Sequence, residues 1–135
     1  MQTFIIENDI KVFTVQAESF PNGVLAAHQK IHSVVPFSTD RKYFGISRPE
    51  SGTISYWAAA EEREEGEGEK LGFGSFTIPH GEYAFVELHD YMKDTSVIGK
   101  TFQELLAIPD LDPNGFCLEW YISDKDVRCM VPLKK

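Results

Sequence analysis

The chain has 135 residues, 42% of them hydrophobic and 25% charged, which suits one globular domain around a single core and leaves no room for a second. Thirteen Lys and Arg against 21 Asp and Glu give a net charge of −8, which repels phosphate backbones and anionic lipid and argues against direct nucleic-acid or membrane partners. No run approaches the roughly 18 apolar residues of a spanning helix, and the opening MQTFIIENDIKVF carries acids where a secretion signal is basic and then apolar, so the expectation is a cytoplasmic protein.

In chain order, 10–18 (IKVFTVQAE) is β-rich and is broken by Phe20-Pro21-Asn22-Gly23. Val24, Ala27, His28, Ile31 and Val34 or Val35 then recur at helical spacing until Pro36. Residues 43–47 (YFGIS) and 53–61 (TISYWAAAE) read as strands joined by a turn at Pro49 and Gly52, which makes the order β-α-β-β. Residues 61–70 (EEREEGEGEK) hold six Glu, two Gly and no apolar side chain, and are expected to be a mobile, solvated loop dividing the chain.

The order repeats after that loop. Residues 71–78 (LGFGSFTI) and 83–89 (YAFVELH) are strand-like, and Ala84, Val86 and Leu88 form an aliphatic face opposite Tyr83, Phe85 and Glu87. Residues 95–108 put Ile98, Phe102, Leu105 and Leu106 on one helical face, and a hairpin of 115–123 and 127–133 closes the chain. The segments YFGIS at 43–47 and EWYIS at 119–123 align with each other, which sets Tyr43 equivalent to Glu119. The expected fold is α+β: duplicated β-α-β-β modules (about 1–62 and 71–135) with pseudo-twofold symmetry, two main helices and one antiparallel sheet in a single domain, 1–135.

Cys117 and Cys129 have no metal-ligand spacing, and His28, His32, His80 and His89 fit no zinc pattern, so neither a metal nor any other cofactor is expected. A hairpin loop of two or four residues pairs Tyr121 with Arg128, Trp120 with Cys129 and Glu119 with Met130, placing the cysteines on opposite faces, whereas a three-residue loop reverses that parity. No phosphate-cradling loop, dinucleotide fingerprint or serine or cysteine nucleophile motif occurs.

Four short segments carry a resemblance: 77–84 (TIPHGEYA), 101–105 (TFQEL), 119–121 (EWY) and 131–134 (VPLK). In this order they resemble the GyrI-like small-molecule-binding superfamily, which includes effector domains of AraC-type and MerR-type regulators as well as stand-alone proteins. The resemblance implies an aromatic cleft near the pseudo-axis, where an acid meets lipophilic cations, and Glu119 best matches that acid. No DNA-reading helices are legible in the chain, so it is expected to bind, sense or sequester a ligand without them.

On the even-loop register Glu119 shares a face with Tyr121 and Met130, and Tyr43, Tyr56 and Phe85 complete the expected cleft, while Trp120 is assigned to the core. The flat rings would hold an organic cation at about 0.5–2 kcal/mol for each well-placed ring. A strand-centre carboxylate needs water, a partner or a ligand, and Arg128, diagonal to Glu119, offers a structural salt bridge as the plainer explanation. Glu87 is a second acid, able to form an acid–base pair with Glu119 if the two converge. The function expected is binding of an amphipathic, cationic small molecule. The alternatives are a hydrolase acting on electrophilic compounds through Glu119 and Tyr121, and a protein-interaction modulator using 61–70. A homodimer that closes the cleft is also open.

Overall fold

The computed structural model describes residues 2–50 and 52–134. Module one runs β1 (Gln2–Ile6), β2 (Ile10–Gln16), α1 (Val24–Val34), β3 (Tyr43–Glu50) and β4 (Thr53–Glu61). Module two runs β5 (Gly74–Ile78), β6 (Gly81–Leu88), a 3-10 turn (Tyr91–Lys93), α3 (Ser96–Leu105), β7 (Cys117–Tyr121) and β8 (Val127–Pro132), with a four-residue α2 (Glu67–Lys70) between the modules. The fold is α+β, as expected from the alternation of strand and helix patterns.

All eight strands join one antiparallel sheet in the order β1-β6-β8-β7-β3-β4-β2-β5. The central contact is β3 against β7, and each module sends its first strand to the other module's edge, β1 onto β6 and β5 onto β2. β1 is absent from the sequence reading, which begins strand structure at Ile10; its short alternation of inward Phe4 and Ile6 with exposed Thr3 and Ile5 is completed only by pairing with β6.

One core cluster draws on all eight strands and on no helix: Ile6, Val12, Phe44, Ile46, Ala59, Ile78, Tyr83, Leu118 and Met130, with Phe116 beside them. Strands can bury such a cluster among themselves only by curling around it, and Phe76 and Tyr83 do meet Phe116 across the interior, at 5.3 and 6.5 Å between ring centroids. The outer face carries the helices. Ala27 and Ile31 of α1, with Val35 just beyond it, cover Phe13, Tyr43, Ala58 and Ala60, while Phe102 and Leu105 of α3 cover Ala84, Val127, Cys129 and Val131. Ala84, Val86 and Leu88 lie under α3, as the aliphatic face of 83–89 predicts. Leu106 does not join it, because the helix ends at Leu105 and leaves Leu106 half exposed.

The closing hairpin takes the odd register. Ile122 N–H bonds the Asp126 carbonyl at 3.0 Å, which leaves Ser123, Asp124 and Lys125 as the loop. Trp120 therefore faces Arg128 and Glu119 faces Cys129, one residue away from the even-loop pairing. Cys117 and Cys129 thus share the outer face, as free, buried thiols pushed up by burial to about 11 and about 12. Met130 and Trp120 lie on the inner face, Trp120 packed on the strand-built core and not beneath a helix.

The acidic segment is partly anchored, contrary to the expectation of a solvated loop. Glu67 makes a two-pronged pair with Arg41, both contacts 3.0 Å, and Arg41 is only 8% exposed. Gly68 packs on Phe13, where any added Cβ would collide with the Phe13 side chain. A chain without apolar side chains still finds buried partners here, because a carboxylate can satisfy a buried guanidinium and a glycine can lie against a ring.

Candidate functional site

β4, β7 and α1 bring one polar cluster together on the outer face, between the areas covered by the two helices. Tyr56 leads the outward row of β4 that continues in Ala58 and Ala60. On β7, Glu119 and Tyr121 alternate outward with Trp120 inward. β3 lies between them, and there Gly45 is the Cα partner of both Ala58 and Glu119. A Cβ at Gly45 would overlap the Tyr56 hydroxyl and stand 2.9 Å from Glu119 Oε1. The missing side chain lets Tyr56 reach across β3 to the acid.

The Tyr56 hydroxyl donates to Glu119 Oε1 at 3.2 Å, and Tyr121 donates to the same oxygen over a short contact. The two phenols lie 3.1 Å apart, and His28 Nε2 stands 2.8 Å from the Tyr56 hydroxyl. Phe20 stacks over Tyr56 at 5.9 Å, His28 meets Tyr121 edge-on at 5.3 Å, and Tyr91 lies 6.0 Å from Tyr121. Phe20 comes from the β2–α1 connection and Tyr91 from the β6–α3 connection, so each module caps the cluster with one ring.

Glu119 is 8% exposed. Among the described residues no Lys, Arg or His ion-pairs with it. Burial pushes its carboxyl above the ordinary value, and the Tyr121 and Tyr56 hydroxyls pull it part of the way back. Burial and the Glu119 charge hold both tyrosines well above the usual phenol value, so they remain donors. Burial, reinforced by His32, pulls His28 down to about 4, leaving it neutral at pH 7. The arrangement is a carboxyl held by neutral groups beneath aromatic rings. Among the described residues no group of His, Cys, Asp or Glu has the geometry to hold a metal.

The expected cleft residues divide between the two faces. Glu119, Tyr56 and Tyr121 converge. Tyr43 is paired with Tyr121 on the same face, but its ring is stacked on Phe37, 5.1 Å away, and its hydroxyl takes the Ser38 N–H at 2.8 Å. Gly45, not Tyr43, is the central-strand residue opposite Glu119. Phe85 and Met130 are partners of each other on the inner face, away from the cluster. Arg128 also lies there, bonding Glu87 at 2.8 Å with its guanidinium about 5 Å from the Phe4 and Phe85 rings. The expected diagonal bridge to Glu119 does not form, and Glu87 does not converge with Glu119. His80 pairs with Asp9, and His89 with Asp126.

His28, Gly45, Phe20 and Tyr91 are the cluster members missing from the sequence reading. Two left a signal: His28 interrupts the apolar face of α1 between Ala27 and Ile31, and Gly45 interrupts a strand. Two surface hollows, one lined by Phe85, Glu87 and Arg128 and the other by Ile46, Arg48 and Trp57, lie away from Glu119. Among the described residues no helix is long and apolar enough to cross a membrane.

No family model and no curated protein matches the chain. Solved structures do. An integron cassette protein from the mobile metagenome of Vibrio cholerae aligns with a TM-score of 0.71 at 16% identity, over 98% of this chain and 95% of that one. SAV2435, solved bound to tetraphenylphosphonium, aligns at 0.66 and 12% identity, over 98% and 93%. A hydrolase from Listeria innocua aligns at 0.52 and 6%, over 98% and 90%. These likenesses span nearly the whole chain, and at such low identity what this chain shares with the three is the fold.

Proposed function

We propose that this protein is a GyrI-like binder of lipophilic organic cations, with Glu119 as counter-charge and Tyr56, Tyr121, Phe20 and Tyr91 as aromatic walls. The observation that carries the reading is the buried Glu119 carboxyl, which has hydroxyl donors and no cation among the described residues. A flat cation docked there supplies the missing charge and gains contact with ring faces. The structure with tetraphenylphosphonium supports the ligand class, since the same fold accommodates such a cation in that protein. Phe20 is 42% exposed and lies over Tyr56, so it is the side chain whose displacement opens the cluster.

Calorimetric titration with tetraphenylphosphonium and with neutral triphenylphosphine oxide tests the reading. Glu119→Gln is expected to weaken the cation at least about tenfold, the equivalent of about 1.4 kcal/mol, and to leave the neutral compound nearly unchanged. Equal losses for both compounds would remove Glu119 as counter-charge. The affinity should also rise with pH until Glu119 is ionised in the free protein, with proton release on binding below that point.

A hydrolytic reading draws on the hydrogen-bonded row His28–Tyr56–Glu119–Tyr121, in which a carboxyl with a raised pKa adjoins two phenol donors. It requires product formation from an electrophilic substrate that stops in Glu119→Gln while binding persists.

A further inference from the structure

The inner face of the sheet carries two arginines in contrasting states. Arg128 is saturated: it bonds Glu87 and lies over the rings of Phe4, Phe85 and Trp120 at 4.9–5.5 Å. Arg48, on the inward row of β3 with Phe44 and Ile46, has no hydrogen bond, ion pair or ring contact among the described residues. It borders a hollow of about 220 Å³ whose other lining residues are Thr14, Ile46, Trp57, Ser75 and Phe76.

The chemistry of that lining is one-sided. Ile46, Trp57 and Phe76 provide apolar walls continuous with the strand-built core. The Thr14 hydroxyl, on the inward row of β2 with Val12, forms no hydrogen bond with a described residue, although Thr14 is only 8% exposed. None of the described lining residues is a carboxylate. A guanidinium and a hydroxyl at the rim of an aromatic hollow suit a planar body with one anionic end, because the guanidinium forks onto a carboxylate and the hydroxyl donates to one of the same oxygens. The volume admits about one ring and excludes drug-sized ligands.

From this geometry we infer a second ligand site at Arg48, for a small aromatic monocarboxylate, on the opposite face of the sheet from Glu119. It does not rest on the cation-binding reading, and its outcome is separable from that one.

The test is a ¹H–¹⁵N NMR titration with sodium benzoate at fixed ionic strength, and with benzylamine hydrochloride as the charge-reversed control. The two tryptophan indole signals are assigned from Trp57→Phe and Trp120→Phe. Benzoate is expected to shift the Trp57 signal saturably and to leave the Trp120 signal still, with benzylamine moving neither. Arg48→Ala should weaken benzoate about tenfold or more, and Thr14→Val should weaken it to a smaller degree, each variant's spectrum also reporting its fold. Glu119→Gln should leave benzoate binding unchanged. A non-saturating response, an equal response to benzylamine, or full affinity in folded Arg48→Ala would overturn the site.

Discussion

Two phenol hydroxyls converge on Glu119 Oε1 with no cation among the described residues to balance the carboxylate, so the free protein bears a cost whenever that group is ionised. Its folded pKa lies above the unfolded value, so the stability it contributes is present below the unfolded carboxylate range and is lost as pH rises through the folded value. Glu119→Gln should therefore raise the urea-unfolding free energy at pH 7 by about 1–3 kcal/mol, with the gain shrinking towards pH 4. His28 behaves in the opposite sense. Its value of about 4 lies below the ordinary 6.5, so stability held above 6.5 falls as pH drops towards 4. His28→Asn should flatten that limb in stability measured from pH 7 to 4. Gly45→Ala should cost about 1–3 kcal/mol by overpacking, and should displace Tyr56 from Glu119, read as a change in near-ultraviolet tyrosine dichroism.

At the scale of elements, α2 is held by the Arg41–Glu67 ion pair together with the packing of Gly68 on Phe13. Removing the Glu67 carboxylate leaves the Arg41 guanidinium buried without it, so Glu67→Ala should destabilise by about 3 kcal/mol and speed amide exchange at Lys70 to Phe73 ahead of the rest of the chain. The Arg41 hydrogen bonds, foremost among the causes, hold the Glu67 carboxyl below its ordinary value, so this contribution is present above the unfolded carboxylate range and is lost as pH falls through the folded value. α3 divides its face unequally: Leu105→Ala should cost about 2–5 kcal/mol, and Leu106→Ala at the half-exposed next position much less.

Across the whole molecule, β1 completes the second module's edge and β5 the first's, while β3 and β7 join the two at the centre. If one module unfolds, the other loses an edge partner and the central β3–β7 pairing. Urea unfolding should accordingly be one transition, with near- and far-ultraviolet dichroism coincident, and separated midpoints would show that the modules unfold independently. The same exchange of strands places Glu119 where the modules meet, with Phe20 and Tyr91 approaching from equivalent β–α connections.

Element types were legible in the sequence because they depend on neighbours two to four residues away: alternation marks β4 at its full length and β6, and apolar spacing marks α1 and α3. The acid on β7 and its companion Tyr121 were legible for the same reason, since residues two apart share a face. Register was not. A three-residue loop in place of a two- or four-residue one puts Met130 on the same face as Trp120 instead of Glu119 and carries Arg128 away from the diagonal position beside Glu119, and that depends on turn geometry that strand alternation does not encode. Nor does the sequence announce that Gly45 makes room for Tyr56, or that His28 and Glu119, far apart in the chain, share one hydroxyl as partner. Those contacts exist only once the sheet has curled and both helices have closed on its outer face, because long-range packing, not local preference, brings them together.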